Sequence, residues 1–352
     1  MATILKTPAY TFDDLQLVPE YSSISSRFDG NINLSTCILP NVKLKFPIIS
    51  ANMDTVTGLD MVLAMDRLGG LGIHHRYCDV EIQLKALRTL PLTSPKIACI
   101  GIGEKQFEQL IYLTKLAPSL AGVLIDVAHG HHKGVIDQIK RIKKTFPDLS
   151  VIAGNVATGS ATRMLGEAGA DCCKIGVGPG SLCTTRLQTG NGVPQLTAIL
   201  EASRAAHSLP SGRHITIIAD GGIRYAGDVV KALAAGADAV MIGSMFAGTD
   251  ETPGEFISDI DGNRLKMYRG MASFSAQKDW KKAARGIEGE EVQVPTIGPV
   301  EDTFNKIVEG VLSGMSYQGA ANLEELRENA VFQVQTYNGV IEAQSHYKYR
   351  KP

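Results

Sequence analysis

The chain has 352 residues, of which 44% are hydrophobic and 20% are charged. Its 35 Lys and Arg residues nearly balance 36 Asp and Glu residues, and the formal net charge of −1 argues against a nucleic-acid-binding protein, which normally carries a clustered basic excess. The composition is typical of a packed globular protein and argues against a disordered, collagen-like or disulfide-framed chain.

The sequence carries no signal for a membrane or an oxidising compartment. No uninterrupted apolar run approaches the ~20 residues that a membrane helix needs. The N-terminal segment MATILKTPAYTFDD is too polar for a secretory signal peptide. The 6 cysteines contain no CxxC pair, which favours reduced thiols over a disulfide framework. We therefore expect a soluble cytoplasmic protein that binds neither nucleic acid nor membrane.

Short apolar runs recur along the chain, each rich in β-branched residues and each ending at Gly, Asn, Asp or Ser. Continuously apolar runs of this length indicate strands that are buried on both faces, as in parallel sheets. The runs comprise residues 46–54, 69–75, 95–103, 122–130, 149–158, 172–180, 215–222 and 237–244.

Amphipathic segments between these runs predict helices over residues 135–146, 160–170 and 226–237. Alternating strands and helices predict right-handed crossovers and a parallel sheet. Eight such units favour a closed (β/α)8 barrel, known as a TIM barrel, over a doubly wound sheet.

The AGAD repeats at residues 168–171 and 235–238 each end a helical segment and lead into the next strand, as the barrel requires. No linker or low-complexity tract divides the chain, so we expect one catalytic barrel domain over residues 1–352. A polar excursion, or flap, is expected after the eighth strand at residues 249–300, followed by a C-terminal helical tail.

The loop at residues 176–186, GVGPGSLCTTR, carries the strongest indication of chemistry, because catalytic residues of such barrels follow the carboxyl ends of the strands. Its glycines and proline favour a tight turn with exposed backbone amides. Cys183 can attack an electrophilic carbon as a thiolate, and Thr185 can relay a proton. A cysteine on a glycine-rich turn is also often a small buried hydrophobe, so the residue types alone leave both interpretations open.

This loop resembles the catalytic loop of the IMP dehydrogenase/GMP reductase family, and the resemblance extends over almost the whole chain. It implies that Cys183 attacks C2 of a purine nucleotide monophosphate to form a covalent thioimidate, with Thr185 as its proton-transfer partner. It also implies a homotetramer. Family segments recur in the same order as TFDDLQLVP (11–19), SANMDTVTG (50–58), IDVAHGH (125–131), AGNVAT (153–158), TTRLQTGNGVPQL (184–196), IADGGI (218–223), MIGSMFAG (241–248) and YRGMAS (268–273).

A purine mononucleotide needs its phosphate, ribose and base held. Backbone amides after the seventh and eighth strands are the usual phosphate site of these barrels. The carboxylate of Asp220 can accept hydrogen bonds from ribose hydroxyls, and the resemblance places further residues at the base. The residues predicted to bind the substrate are Met53, Ser181, Asp220, Gly221, Gly222, Gly243, Ser244, Tyr268, Gly270, Met271, Arg285, Glu288 and Gly289.

The dinucleotide site has no Rossmann fingerprint, since GIG at residues 101–103 lacks the third glycine. The resemblance implies instead that the nicotinamide lies across the barrel mouth near Asp126. Arginine suits the 2′-phosphate of NADPH because its planar fork donates two bonds. The residues predicted to bind the cofactor are Ser26, Arg27, Arg76, Asp126, Val127, Ala128, Asn155, Ala272, Arg285 and Ser313.

The histidines within residues 129–132 suggest a metal cluster, but their spacing gives poor tetrahedral geometry, so zinc is not expected there. The resemblance implies a monovalent cation, potassium, bound through carbonyls of the catalytic loop. The residues predicted to form this potassium site are Gly178, Gly180, Cys183 and Arg186.

Two activities share this framework. Dehydrogenases usually carry regulatory modules after the second strand, for which residues 73–78 leave no room. They also use an Arg-Tyr pair to activate water, which residues 274–287 lack, whereas Glu288 matches the glutamate that reductases pair with the active-site threonine. The resemblance thus favours a GMP reductase, which converts GMP and NADPH to IMP and ammonia. The alternatives are a short IMP dehydrogenase, which converts IMP and NAD to XMP, and a nucleotide-binding barrel without turnover.

Overall fold

The computed structural model describes residues 2–28, 30–117, 119–281 and 284–344. In chain order, the strands are β1 (Leu15–Leu17), β2 (Thr36–Leu39), β3 (Val42–Leu44), β4 (Ile48–Ser50), β5 (Leu71–Gly72), β6 (Lys96–Ile100), β7 (Leu120–Asp126), β8 (Ser150–Val156), β9 (Cys172–Ile175), β10 (Thr216–Asp220), β11 (Ala239–Ile242), β12 (Ile257–Ser258), β13 (Arg264–Arg269), β14 (Glu291–Pro295) and β15 (Phe332–Val334).

The helices alternate with the strands through most of the chain. They are α1 (Leu59–Leu68), α2 (Val80–Thr89), α3 (Glu104–Leu116), α4 (Lys133–Thr145), α5 (Gly159–Ala168), α6 (Thr185–Thr189), α7 (Gln195–His207), α8 (Ala226–Ala234), α9 (Phe274–Lys281), α10 (Val300–Tyr317), α11 (Leu323–Asn329) and α12 (Tyr337–Glu342). Among the helices described, none is long and apolar enough to cross a membrane.

Eight strands form one parallel sheet in the order β5-β4-β11-β10-β9-β8-β7-β6. Neighbours in this order are neighbours in the chain, apart from β4 and β11, and β5 and β6 stand at its two ends. This is the strand order of a curled (β/α)8 barrel, so the predicted fold class and all eight predicted strands are confirmed. Every residue of β6, β9 and β11 is buried, as the apolar runs predicted.

The AGAD repeats act as helix ends and strand anchors. α5 ends at Ala168 because Gly169 has a φ of +113°, in the left-handed region that favours glycine. The aspartate of each repeat then accepts a hydrogen bond from a backbone N–H of a neighbouring strand. Asp171 accepts from Val151 N at 2.8 Å, and Asp238 accepts from Ile217 N at 2.8 Å. The helices predicted to run to residues 170 and 237 therefore end earlier.

Three sheets outside the barrel were not predicted. β2 and β3 form an antiparallel hairpin, and β12, β13 and β14 form a three-stranded antiparallel sheet within the predicted polar excursion. α9 lies between β13 and β14, so the flap is a small sheet that carries a helix. The tail contains α10, α11 and α12, as predicted, and also β15, which pairs with β1 near the N-terminus.

Candidate active site

The loop after β9 lies against the end of β10. A Cβ on Gly176 would lie 2.0 Å from the carbonyl oxygen of Asp220, and its φ is +151°, so the position requires glycine. This close approach places the catalytic loop beside the residues that follow the seventh barrel strand. The close packing against Asp220 therefore explains why the motif begins with a glycine.

Cys183, Thr185 and Glu288 form a continuous hydrogen-bonded chain. The Cys183 Sγ lies 3.1 Å from Thr185 Oγ1, and the Thr185 hydroxyl donates to Glu288 Oε2 at 2.7 Å. All three side chains are partly exposed to the cleft. The structure thus brings together the three predicted catalytic residues, although Glu288 is 103 residues from Thr185 in the chain.

Backbone pairing holds the glutamate in this position. Cys183 and Gly289 form an antiparallel bridge, Thr184 N donates to Glu288 O at 2.9 Å, and Glu290 N donates to Leu182 O at 2.9 Å. The segment that precedes β14 is therefore laid along the catalytic loop. Because both sides are fixed by main-chain bonds, the Thr185–Glu288 contact does not depend on side-chain reach alone.

An open cleft lies above the catalytic loop, and its volume, including the solvent-filled mouth, is about 1220 Å³. A smaller pocket adjoins it and extends between the loops that follow β10 and β11. All the predicted substrate-binding residues except Arg285 line one or both of these spaces. They are Met53, Ser181, Asp220, Gly221, Gly222, Gly243, Ser244, Tyr268, Gly270, Met271, Glu288 and Gly289.

Hydroxyl groups lie at the junction of the two spaces. Ser181 Oγ and Tyr268 Oη are 3.2 Å apart. Burial raises the pKa of Tyr268, and the hydrogen bond with Ser181 opposes that effect only in part. A neutral phenol can donate a hydrogen bond, so both groups suit a phosphate or ribose oxygen.

Lys174 of β9 lines the cleft and contacts two of the predicted site residues, and the sequence analysis did not single it out. Its side chain is 4% exposed, and its Nζ lies 2.6 Å from Asp220 Oδ2 and 3.2 Å from Asp126 Oδ1. Burial lowers its pKa, but the two carboxylates outweigh burial and the net effect raises it, so the ammonium stays charged. The sequence CCKIG at residues 172–176 indicated a buried ion pair, because a charged side chain inside an apolar strand needs a buried partner.

The described cofactor-side residues share the same cleft as Cys183. Arg76, Asp126, Val127, Ala128, Asn155 and Ala272 all line it. Arg76 Nε donates to the Asp126 carbonyl at 3.0 Å and lies 3.8 Å from its carboxylate. Asn155 Nδ2 donates to Asp220 Oδ2 at 2.8 Å, so this residue links the two sides of the cleft.

Four other predicted cofactor residues lie apart from that cleft. Arg27 donates to Ser313 Oγ at 2.9 Å, and Ser26 precedes Arg27 in the chain. Arg285 is exposed, and its backbone N–H donates to Gln277. None of these four is among the residues that line the cleft within the described ranges. The predicted cofactor residues thus form two groups.

The predicted potassium loop already holds one cation. The Arg186 guanidinium donates to Val193 O at 2.6 Å and to Val177 O at 3.3 Å, and a Cβ on Gly178 would lie 2.6 Å from Arg186 Cγ. The Gly180 carbonyl accepts from Cys183 N at 3.1 Å, which leaves it a second lone pair.

The flap helix is fixed to the barrel mouth. Trp280 Nε1 donates to Asp54 Oδ2 at 2.8 Å, and Arg269 bridges Asp54 and Asp279 at 2.6 and 2.7 Å. These contacts join the end of β13 and α9 to the loop after β4. No local pattern predicts these contacts, because Asp54 and Trp280 are 226 residues apart.

The sequence model of the IMP dehydrogenase / GMP reductase domain matches residues 9–346. Inosine-5′-monophosphate dehydrogenase of Borreliella burgdorferi is 36% identical over 401 aligned residues, which cover 96% of each chain. That of Aquifex aeolicus is 33% identical over 477 residues, covering 96% of this chain and 95% of the relative. Both alignments are longer than the chain's 352 residues, so these relatives contain segments that the chain lacks.

A solved structure provides a similar fold. The chain superposes with a TM-score of 0.89 and 29% identity on a variant of GMP reductase from Trypanosoma brucei in complex with guanosine 5′-monophosphate. The superposition covers 97% of this chain and 98% of the other. The sequence relatives and the structural neighbour thus carry the names of two different activities.

Proposed function

The chain belongs to the IMP dehydrogenase/GMP reductase family, whose members are oxidoreductases of purine metabolism, and within it we propose a GMP reductase. The proposed reaction converts GMP and NADPH to IMP, ammonia and NADP. The single observation that carries the proposal is the hydrogen-bonded chain from Cys183 through Thr185 to Glu288. It provides a proton donor beside the carbon from which ammonia must leave.

In the first half of the reaction, the hydrogen-bonded series from Cys183 through Thr185 to Glu288 carries a proton first toward Glu288 and then back. Cys183 Sγ forms a bond to C2 of GMP, and the thiol proton passes through the Thr185 hydroxyl toward Glu288. The same relay returns a proton to the 2-amino group, the C2–N bond breaks, and ammonia leaves. The purine remains attached to Cys183 as a thioimidate.

When bound, NADPH supplies a hydride to C2, and the bond to sulfur then breaks to release IMP. The protein holds the nicotinamide end of the cofactor beside C2. Arg76, Asp126 and Asn155 share with Cys183 one cleft that is open to solvent. The donor set fits a nicotinamide-ribose unit, since it offers a guanidinium, a carboxylate and an amide.

We also propose a potassium ion at the catalytic loop, where the carbonyls of Gly178, Gly180 and Cys183 would supply three oxygen ligands. The Arg186 guanidinium also lies against this loop. The remaining oxygens would have to come from outside the loop, and no catalytic step depends on the ion.

The short IMP dehydrogenase is the second candidate, and the names of the sequence relatives favour it. Hydrolysis of the thioimidate requires an activated water, for which the family's dehydrogenases use an Arg-Tyr pair. Residues 274–287 contain no tyrosine. Glu288 instead lies against Thr185, where it supports loss of an amine.

Intact-mass spectrometry tests the covalent step. Incubation of the protein with GMP alone should add the mass of the thioimidate to Cys183, and the Cys183→Ala variant should show no adduct. One ammonia should be released per adduct formed, and NADPH should then discharge the adduct as IMP. GMP binding without an adduct or ammonia would favour the third alternative, a purine-nucleotide-binding barrel without turnover.

A further inference from the structure

A cluster of potential metal ligands lies between β5 and α2, outside the proposed catalytic machinery. One nitrogen of His74, one nitrogen of His75 and the Cys78 Sγ all lie within 4.8 Å of one another. His74 and His75 are 4% and 7% exposed, and Cys78 is half-buried. The three side chains are therefore gathered in a sheltered position that remains open on the Cys78 side.

The hydrogen bonding of this cluster is incomplete. His74 Nδ1 lies 2.9 Å from the His75 carbonyl and 3.9 Å from Cys78 Sγ, and that thiol donates to the same carbonyl at 3.4 Å. His75 Nδ1 is buried and has no hydrogen-bond partner in the part of the chain that the structure describes. Buried polar atoms in proteins are nearly always paired, so this nitrogen calls for a partner.

We propose that His74, His75 and Cys78 bind a borderline-soft divalent transition metal, zinc in particular. Two imidazole nitrogens and one thiolate form a donor set that zinc accepts, and a water molecule in the open fourth position completes the tetrahedron. Cys78 loses its proton to solvent on binding, and His74 Nδ1 exchanges its contact with the carbonyl for the metal.

The distances approach those of a zinc site, although the His74 and His75 rings are stacked, with centroids 4.6 Å apart and planes 26° apart. Zinc bonds of about 2.0–2.1 Å to nitrogen and about 2.3 Å to sulfur place tetrahedral ligands roughly 3.3–3.6 Å apart. The His74 Nδ1 to Cys78 Sγ distance of 3.9 Å is already close to that range. To close on a metal, one imidazole ring must turn out of this stack, and the backbone between His75 and Cys78 must shift with it.

Occupancy would affect the cofactor side of the cleft, a consequence that depends on the proposed function. Arg76 and Tyr77 lie between the ligands in the chain, and both line the cleft. Arg76 also donates to the Asp126 carbonyl. Drawing the three ligands together moves these two residues, so zinc should raise KM for NADPH and leave KM for GMP unchanged.

Binding is tested with the metal alone on the full chain, after treatment with a chelator. Titration with Co²⁺ should give one equivalent of bound metal, with a thiolate-to-cobalt charge-transfer band and the intense visible bands of tetrahedral cobalt. Cys78→Ser, a near-isosteric change, should abolish the charge-transfer band. Cys37→Ser and Cys183→Ala are matched controls that remove an exposed thiol and the proposed nucleophile, and both should retain it.

A second variant addresses the imidazoles. His75→Asn should weaken the affinity for Zn²⁺ by at least the ~10–100-fold that the loss even of an outer-shell partner costs. Circular dichroism and the thermal midpoint would show that each variant is folded. The proposal is overturned if the wild-type chain gives no charge-transfer band, if the band survives in Cys78→Ser, or if Cys183→Ala removes it.

The kinetic consequence is checked separately. One equivalent of Zn²⁺ should raise KM for NADPH in the wild-type enzyme and not in Cys78→Ser. An equal rise in both, or in neither, would overturn the link to the cofactor side. Metal binding is measured without nucleotides, so the two proposals fail independently. A missing cobalt spectrum would not bear on GMP reduction, and missing GMP reduction would not change the cobalt spectrum.

Discussion

On the nucleotide side of the cleft, the proposed catalytic groups form one hydrogen-bonded series: Cys183 contacts Thr185 on the same loop, and Thr185 donates to Glu288 from the segment before β14. On the cofactor side, Arg76 donates to the Asp126 carbonyl and to the Tyr77 hydroxyl, and Asp126 also contacts Lys174. Main-chain bonds hold segments on both sides, and on the cofactor side Asn155 N donates to Val127 O at 2.8 Å. The catalytic side chains differ in that each depends on the next for the proposed proton relay. We therefore expect the chemistry to be more sharply sensitive to single substitutions than cofactor binding is.

The two sides meet at one buried residue. Lys174 contacts Asp126, on the cofactor side, and Asp220, on the nucleotide side. Asn155 adds a second link to Asp220. Substitutions on either side, and at the junction, can therefore separate the contribution of the nucleotide side from that of the cofactor side.

The largest effect is expected at the nucleophile. Cys183→Ala should lower turnover by at least about 10³-fold, since loss of a covalent nucleophile removes the proposed pathway. Affinity for GMP should change little, because the predicted phosphate and ribose contacts lie on residues 220–222 and 243–244. Steady-state kinetics and calorimetric titration with GMP provide the two measurements. Turnover above a tenth of the wild-type rate would contradict the assignment.

The junction should give the next largest effect, on stability. Lys174→Met removes the buried ammonium that Asp126 and Asp220 share and leaves Asp126 the longer contact with Arg76 and Asp220 the amide of Asn155, which costs about 3–5 kcal/mol of unfolding free energy. Urea denaturation monitored by circular dichroism would measure it. Lys133→Met breaks an exposed pair with Asp137 and should cost ~0–1 kcal/mol. Equal losses in the two variants would show that Lys174 is not a junction of this kind.

The relay should respond next. Glu288→Gln keeps the shape of the side chain but removes its capacity to take and return a proton, so GMP deamination should fall by about 10²-fold or more. The neighbouring Glu290→Gln, whose side chain is exposed, serves as the matched control and should remain near the wild-type rate. An unchanged kcat in Glu288→Gln would remove the glutamate from the mechanism.

The smallest effect is expected on the cofactor side. A charge-assisted contact to the 2′-phosphate contributes roughly 1.5–3 kcal/mol, so kcat/KM should favour NADPH over NADH by about tenfold to a hundredfold. Arg76 lies beside Asp126, where the nicotinamide is proposed to bind, and the 2′-phosphate is at the other end of the dinucleotide. Arg76→Ala should therefore weaken both cofactors alike.

The second arginine group completes that comparison. Arg27→Ala should reduce the preference for NADPH, because Arg27 and Ser313 lie outside the cleft, where the far end of the dinucleotide could reach. Equal kcat/KM for NADPH and NADH in the wild-type enzyme would refute the preference itself. A preference lost in Arg76→Ala and kept in Arg27→Ala would reverse the assignment of the two groups.

The sequence was most informative where burial or sterics restrict residue choice. The eight barrel strands were predictable because both faces are buried, and the catalytic loop because Gly176 packs against Asp220. Pairings between distant segments were not predictable, since no local pattern encodes the register of β1 with β15 or the contact of Trp280 with Asp54. The flap sheet was missed because its short strands are largely exposed on one side and lack an apolar run.

The histidine segment illustrates a different limit. The sequence HHRYC at residues 74–78 entered the analysis only as part of the short segment that leaves no room for regulatory modules. Adjacent histidines in an extended chain would point to opposite sides, so their convergence with Cys78 depends on the turn between β5 and α2. Lys174 is the opposite case, because its position inside an apolar strand was a usable signal.

The direction of catalysis tests the proposed enzyme most directly. Purified protein would be assayed for the change in reduced-nicotinamide absorbance with GMP and NADPH, and in parallel with IMP and NAD, with chromatography to identify IMP and XMP. A Cys183–Thr185–Glu288 relay that expels ammonia predicts faster formation of IMP from GMP and NADPH than of XMP from IMP and NAD. Faster formation of XMP would contradict it and identify the chain as a short IMP dehydrogenase.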